Sequence, residues 1–265
     1  MTTCSVIIVN YNTGELLKQA VDAVKSNQHA NEVIVVDNAS KDGSMDLISE
    51  SDKVKKISRQ ANHGFASSCN YGSKIATSDV LLFLNPDCIV KDNTVDLLVD
   101  FFSSQKNVGI FGVCVNNPDG SEQRATRRRL PTLMRAIKTF SGIEKLAKFY
   151  SCFAGINLNH LVMPESIQKV EAISGAFIMI KASVFNTING FDEKFPMHFE
   201  DLDLFKRTID QGYEILFNPN ISVIHHQGTS SKTNPKVGQM KKQGLQRYFY
   251  KHCSKLSYFI VKLLG

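Results

Sequence analysis

No acidic residue follows Glu214, no two cysteines stand as a C-x-x-C pair, and no apolar run reaches the roughly 20 residues that span a bilayer. Each absence removes a class. Six scattered cysteines (Cys4, Cys69, Cys88, Cys114, Cys152, Cys253) lack metal-finger spacing and read as free thiols of a reduced, cytoplasmic chain. Residues 1–10 have neither the basic start nor the cleavage site of a signal peptide, so the expectation is a protein that is soluble or lies on a membrane. A Gly-rich phosphate loop is also missing. No G-x-G-x-x-G follows the first strand and no G-x-x-x-x-G-K-[ST] occurs, which counts against dinucleotide dehydrogenases and P-loop NTPases.

What remains is ordinary in bulk. The 265 residues suffice for a real hydrophobic core, and 43% apolar with 21% charged residues is usual for a soluble globular protein. The net charge of +6 is unevenly spread. Lys232, Lys236, Lys241, Lys242, Arg247, Lys251, Lys255 and Lys262 crowd the acid-free tail. A second basic stretch, Arg124 to Lys148, is interrupted only by Glu144. Such asymmetry points to an anionic partner: phosphate, a membrane surface or nucleic acid.

The first half alternates between two periods. Ser5 to Val9, Val33 to Val36, Val54 to Ser58, Val80 to Leu84 and Val108 to Val115 are short apolar runs, as buried parallel strands are. Between them, Gly14–Ser26, Ser44–Ser51, Phe65–Ala76 and Thr94–Ser104 carry helical spacing. Repeated βα units predict an α/β fold with a mostly parallel sheet covered by helices on both faces. Beyond the turn at Asn116–Gly120, the pattern predicts a basic amphipathic helix over Pro131–Tyr150 and a strand over Val170–Ile180 broken at Ser174–Gly175. It also predicts a helix over Asp201–Gln211, two short strands (Glu214–Phe217, Ile221–His225) and a basic, aromatic helical tail. That tail, with Tyr250, Leu256 and Phe259 among lysines, has the composition of an interfacial membrane helix.

Chemistry-bearing residues sit at strand ends. Asn85-Pro86-Asp87 stops the Val80–Leu84 run, where α/β sheets bind ligands. Val9-Asn10-Tyr11-Asn12 follows strand one, and Asp37-Asn38-Ala39-Ser40 ends strand two. An aromatic ring beside a carboxylate suits a nucleoside: Tyr11 packs on the base and Asp37 accepts its N–H or hydroxyl. Glu200-Asp201-Leu202-Asp203 opens a helix with clustered carboxylates, one of which could serve as a base.

In order, V-N-Y-N, V-D-N-A-S, N-x-G-F-A-x-x-x-N-x-G (Asn62–Gly72), L-N-P-D, S-G-A-F (Ser174–Phe177), G-F-D-E-x-F (Gly190–Phe195) and F-E-D-x-D-x-x-x-R (Phe199–Arg207) resemble family 2 glycosyltransferases, in the bacterial rhamnosyltransferase-like branch. The likeness runs from about Thr3 to Lys232. It implies a GT-A fold over residues 1–236, with a nucleotide-sugar-binding half (1–115), an acceptor-binding half (116–236) and a basic helix at 237–265.

Carried over residue by residue, the resemblance gives Val9, Tyr11, Asp37, Asn62, Gly64, Asn70, Asn85, Pro86 and Arg128 as donor contacts, with Asn70 facing the nucleotide pocket. It gives Asp87 and His225 as the side that holds Mg2+ or Mn2+, and Gly175, Ala176 and Asp203 as acceptor contacts. Alignment on Gly228 and Ser230 favours His225, with His226 left open. Asp201 matches the family's base and Glu200 its neighbour. Asn85 stands where many relatives have an acid, so the metal site carries less charge. The arginines at 124–129 read as contacts for a donor diphosphate or a pyrophosphate-linked lipid.

The implied reaction is inverting transfer of a sugar, L-rhamnose from dTDP-rhamnose, to a glycan or polyprenyl-pyrophosphate-linked acceptor of bacterial surface polysaccharide. The inner-membrane surface and further copies of the chain are open as partners, and nucleic acid is not expected. Two other readings stand beside it: a sugar-1-phosphate nucleotidyltransferase, and a non-catalytic phosphate- or membrane-binding protein.

Overall fold

A computed structural model describes residues 2–227 and 236–264. Gly228, Ser230 and Lys232 of the late motifs lie outside them. The first half runs β1 (Cys4–Asn10), α1 (Glu15–Lys25), β2 (Ala30–Asp37), β3 (Val54–Ser58), α2 (Phe65–Ile75), β4 (Val80–Leu84), β5 (Cys88–Ile89), α3 (Thr94–Ser104) and β6 (Val108–Asn116). The second adds β7 (Arg127–Arg128), α4 (Leu133–Phe140), β8 (Gln168–Val170), β9 (Ala172–Ile173), β10 (Phe177–Lys181), α5 (Ala182–Thr187), α6 (Glu200–Asp210), β11 (Glu214–His225), α7 (Lys236–His252) and α8 (Lys255–Leu264).

The main sheet has the order β3-β2-β1-β4-β10-β6-β11-β5, with β8 also paired to β11. Strands β1 to β4 are parallel, as the βα repeats predict. Strand β10 breaks that rule by lying antiparallel to both β4 and β6, so the sheet is mixed. The segment before it, β9, pairs with β7 in a separate two-stranded sheet, so β10 is not entered through the βα crossover that keeps the earlier strands parallel.

Both faces are covered, which is why the strands read as continuous apolar runs rather than alternating ones. On one face Cys4, Val6 and Ile8 meet Leu17, Val21 and Val24 of α1 and Leu98, Val99 and Phe102 of α3. On the other, Ile7 and Val9 join Ala66 and Cys69 of α2, Leu204 and Phe205 of α6, and Tyr248 and Phe249 of α7. All six cysteines are free thiols, four of them buried.

Three expectations change. The helix expected over Pro131–Tyr150 stops at Phe140, and two 3-10 turns (Ile143–Lys148, Ser151–Phe153) complete the stretch. The break falls at Gly142, whose φ of 79° follows the last helical turn as a left-handed C-terminal cap. The helix expected at Ser44–Ser51 is a single 3-10 turn, Ser44–Leu47. The two late strands are one, β11, whose register shifts between Asn218 and Ser222, where Pro219 has no N–H to give the ladder.

Candidate active site

The carboxyl ends of β1 and β2 form one wall. Their register pairs Asn10 with Asp37, so the two polar residues finish adjacent strands side by side. Asn10 Nδ2 donates to Asp37 Oδ1 (2.8 Å) and to Ser44 Oγ (2.8 Å). Asp37 Oδ2 accepts from the Ser40 backbone N–H (3.0 Å), so this buried carboxylate is fixed while Tyr11 beyond it stands exposed. Val9 is buried just before this tip. The turn into α2 joins the same wall: Asn38 Nδ2 donates to the Gly64 carbonyl (3.2 Å), and Asn62 Oδ1 accepts from Gly64 N–H (2.9 Å). Tyr11, Asp37, Asn62 and Gly64 are thus brought together.

Asn70 is not part of that wall. Its amide donates to the Phe191 carbonyl (2.9 Å) and Glu193 Oε1 (2.9 Å), and accepts from Phe191 N–H (2.8 Å). The expected pocket contact gives way to a tie across the Gly190–Glu193 turn.

The next wall is the Asn85–Asp87 turn. β5 pairs with the end of β11, setting His225 opposite Cys88, and His226 N–H donates to the Asp87 carbonyl (2.9 Å). His225 Nε2 therefore lies 3.1 Å from Asp87 Oδ1 and 3.1 Å from Asn85 Nδ2. His226 is exposed, so the strand face selects His225.

The imidazole is oriented by Gln123. Its Nε2 donates to the His225 carbonyl (2.6 Å), which turns its Oε1 to His225 Nδ1 (2.9 Å). Nδ1 must then carry the proton, and the Nε2 lone pair receives the Asn85 amide and faces the Asp87 carboxylate. Two lone pairs 3.1 Å apart repel unless a proton or a cation lies between them. Once the Asn85 amide turns away from Nε2, one carboxylate oxygen and one imidazole nitrogen fit Mn2+ or Mg2+ as part of a shell. Among the described residues no cluster of three or more His, Cys, Asp or Glu side chains could hold a metal alone. The remaining ligands would come from a substrate diphosphate or water.

The acid pair is held differently. Helix α6 starts at Glu200 directly after His198 (φ 64°) and Phe199 (φ 69°), two side-chain-bearing residues in the left-handed region. Each such residue costs roughly 1–2 kcal/mol. Packing holds them there. The Phe199 ring is buried against Tyr248 of α7 at 6.3 Å between centroids, and a Cβ on Gly244 would lie only 2.5 Å from the His198 carbonyl oxygen.

Asp201 Oδ1 accepts from Leu202 N–H (2.8 Å), and Oδ2 forms an ion pair with Arg128. The Arg128 Nε also donates to the Ile173 carbonyl (3.0 Å). Gly175 passes so close that a Cβ there would sit 2.8 Å from Asp201 Oδ2. Burial, then the neighbouring Asp201 charge, pushes the Glu200 carboxyl above the usual carboxylate range, and its Oε2 is buried without a hydrogen-bond partner. Burial thus favours the protonated form of Glu200.

Asp203 does not join them. It is fully buried and bonded to Arg207 (2.8 Å), Lys251 (2.7 Å) and His252 (2.7 Å). The expected acceptor contact is instead a tie between α6 and α7. Ala176 likewise buries its side chain, while its carbonyl accepts from Asn85 N–H (2.9 Å). Asn85 and Asp201 thus both border the Gly175–Ala176 loop, the first at the Ala176 carbonyl and the second beside Gly175. The basic stretch is also largely spoken for. Arg124 pairs with Glu144, Arg127 with Glu122 and Arg135 with Glu171, and only Arg129 of its arginines makes no ion pair among the described residues. Gln123 and Gly244 carried no motif that sequence reading could find.

Several known proteins are similar to this chain. An N-acetylglucosaminyl-diphospho-decaprenol L-rhamnosyltransferase from Mycobacterium tuberculosis is 24% identical over 87% of this chain and 78% of its own length. The Escherichia coli rhamnosyltransferase WbbL is 28% identical over 57% of this chain and 53% of its own. Among solved structures, a mannosyltransferase from Pyrobaculum calidifontis, in complex with GDP-Man and Mn2+, superposes with a TM-score of 0.62 at 17% identity. GalNAc-T7 with UDP, GalNAc and Mn2+ does so with 0.69 at 16%. Each superposition covers 94% of this chain, which spans 63% and 48% of those two chains. The fold is GT-A. With residues 5–168 matched by the model of Glycosyl transferase family 2, the chain belongs to that family and is a glycosyltransferase.

Proposed function

We propose that the protein transfers a sugar, with inversion, from a nucleoside diphosphate donor to a hydroxyl of a glycan or lipid-linked acceptor. The observation that supports this reading is that the Asn85–Asp87 turn, with His225 against Asp87, and the Asp201 carboxylate both border the Gly175–Ala176 loop.

Tyr11 stacks on the base, and Asp37, held by Asn10 and Ser40, accepts from the nucleoside. The Asn62–Gly64 turn lines the nucleotide. Asn85 donates to a sugar hydroxyl or a bound water. Asp87 and His225 would hold Mg2+ or Mn2+, which when bound supplies positive charge for the departing diphosphate. Asp201, reached past Gly175, takes the proton of the acceptor hydroxyl as the glycosidic bond forms on the face opposite the leaving group. For that step Arg128 has to release Oδ2, and a donor phosphate is the anion that competes for its guanidinium. Glu200, whose carboxyl burial pushes up, stands beside that base.

Similarity to rhamnosyltransferases supports L-rhamnose from dTDP-rhamnose as the donor sugar. A relative named for a diphospho-decaprenol substrate supports a polyprenyl-pyrophosphate-linked acceptor in cell-surface polysaccharide synthesis at the cytoplasmic side of the membrane.

Asp201→Asn keeps the shape and removes the base, so transfer should fall roughly 10²–10⁴-fold while donor binding is kept or strengthened, because Arg128 is freed for the donor phosphate. Titrating nucleotide sugars with Mn2+ alongside single-turnover transfer measures both. Near-normal turnover by the variant would remove Asp201 from this role.

A further inference from the structure

We propose that the face built jointly by α4, its following 3-10 turns and α8 is a docking surface for an anionic phospholipid bilayer, on which the protein lies without crossing. Two apolar stripes carry it. On α8, Leu256, Phe259 and Leu263 are spaced three and four apart and are 70%, 57% and 86% exposed. The opposite side of that helix packs inward through Val261 and Tyr258. On α4, Met134, Ile137 and Phe140 face out in the same way while Ala136 packs inward. The 3-10 stretch that follows extends the second stripe with Ile143, Leu146 and Phe149.

The two stripes belong to one region. The Cys253 thiol, at the corner between α7 and α8, lies 3.9 Å from the Pro131 carbonyl just before α4. Ala136 and Val261 both belong to the core on that side of the sheet. So many exposed large apolar side chains on neighbouring elements mark a binding face rather than scattered surface residues.

Charge chooses the occupant. Lys138, Lys145 and Lys148 interleave the first stripe, and Lys255 and Lys262 the second. Over residues 133–150 the single carboxylate, Glu144, is buried and bonded to Arg124, Thr139 and Asn157. Over 236–264 there is none. A second copy of this face would set lysines against lysines, and a neutral protein partner would leave the missing acids unexplained. An acid-free, lysine-studded apolar face matches phosphate headgroups above acyl chains. Among the described residues no helix is long and apolar enough to cross a membrane, which fits a helix lying in the interface.

The surface deepens the reading of a lipid-linked acceptor and rests on it for its purpose, but its test needs neither donor nor acceptor. The full chain is co-sedimented with vesicles of phosphatidylcholine alone and of phosphatidylcholine with phosphatidylglycerol. Binding to the anionic vesicles only, weakening as salt rises from 0.05 to 0.5 M, is expected. Combined Leu256→Ser, Phe259→Ser and Leu263→Ser should lower partitioning at least ~10-fold, and each of Lys145→Gln and Lys262→Gln about fivefold. Nucleotide binding by these variants should stay as in the parent, which shows that they are folded. Absence of vesicle binding, equal binding to neutral vesicles, variants that bind like the parent, or a dimer that the serine variants dissolve would each overturn the proposal. A chain that binds anionic vesicles yet transfers no sugar would leave the surface standing and remove the functional reading.

Discussion

The Asp87–His225 wall and the acid pair are built by opposite means. Asn85, Asp87 and His225 stand at the ends of paired strands, where the ladder sets each side chain's position. Asp201 stands at the start of a helix whose entry is strained, and its place depends on Arg128, on a glycine in the facing loop and on a helix some 50 residues further along the chain. A site on a sheet edge inherits rigidity from backbone bonds. A site on a helix entry must be clamped from outside, and here α7 is the clamp.

Removing the clamp should have the largest effect. Asp203→Ala leaves Arg207, Lys251 and His252 without their buried counter-charge, which should cost about 3–5 kcal/mol in urea unfolding. An unchanged midpoint would show that α7 does not brace α6. Gly244→Ala is a finer probe. In a free helix the change stabilises by about 0.8–1 kcal/mol. Here the new Cβ meets the His198 carbonyl, so the sign should reverse to a loss of about 1–3 kcal/mol, with kcat falling and donor KM held.

On the other side of the comparison, Gln123→Leu leaves the His225 carbonyl unpaired and should cost about 1–3 kcal/mol in unfolding. Mn2+ affinity in the presence of a nucleoside diphosphate should drop about 10–100-fold, read by calorimetry, because His225 loses the bond that fixes its ring.

The smallest effect concerns acid. Burial works to raise the Asp192 carboxyl, but the bonds from Lys251 and Arg247 outweigh it and hold the group at about 2. A carboxylate depressed on folding contributes stability above its unfolded value of about 3.8 and loses it as pH falls towards 2. Unfolding measured from pH 6 down to pH 3 should fall less steeply for Asp192→Asn than for the parent.

The same contrast explains what the sequence revealed. Strand-end residues are legible because a buried apolar run announces the strand and the next polar residue is its tip; Tyr11, Asp37 and Asp87 follow from that rule. Asn70 and Asp203 look alike in a motif but hold the structure together. Their partners lie 121 and 49 positions away, beyond the reach of any local pattern. The reversed strand β10 was hidden for a related reason: an apolar run carries no direction, and its sense shows only against β4 and β6, far earlier in the chain. Gln123 had no signal at all, being one polar residue in a loop until β11 arrives beside it.

One contact reaches beyond the transfer step. Arg128 sits on Asp201 and is anchored to the Ile173 carbonyl as well, so the empty molecule shows solvent a neutralised acid. On the proposed reading, the anion that draws the guanidinium away also bares the carboxylate, so the site arms itself only when a donor has arrived.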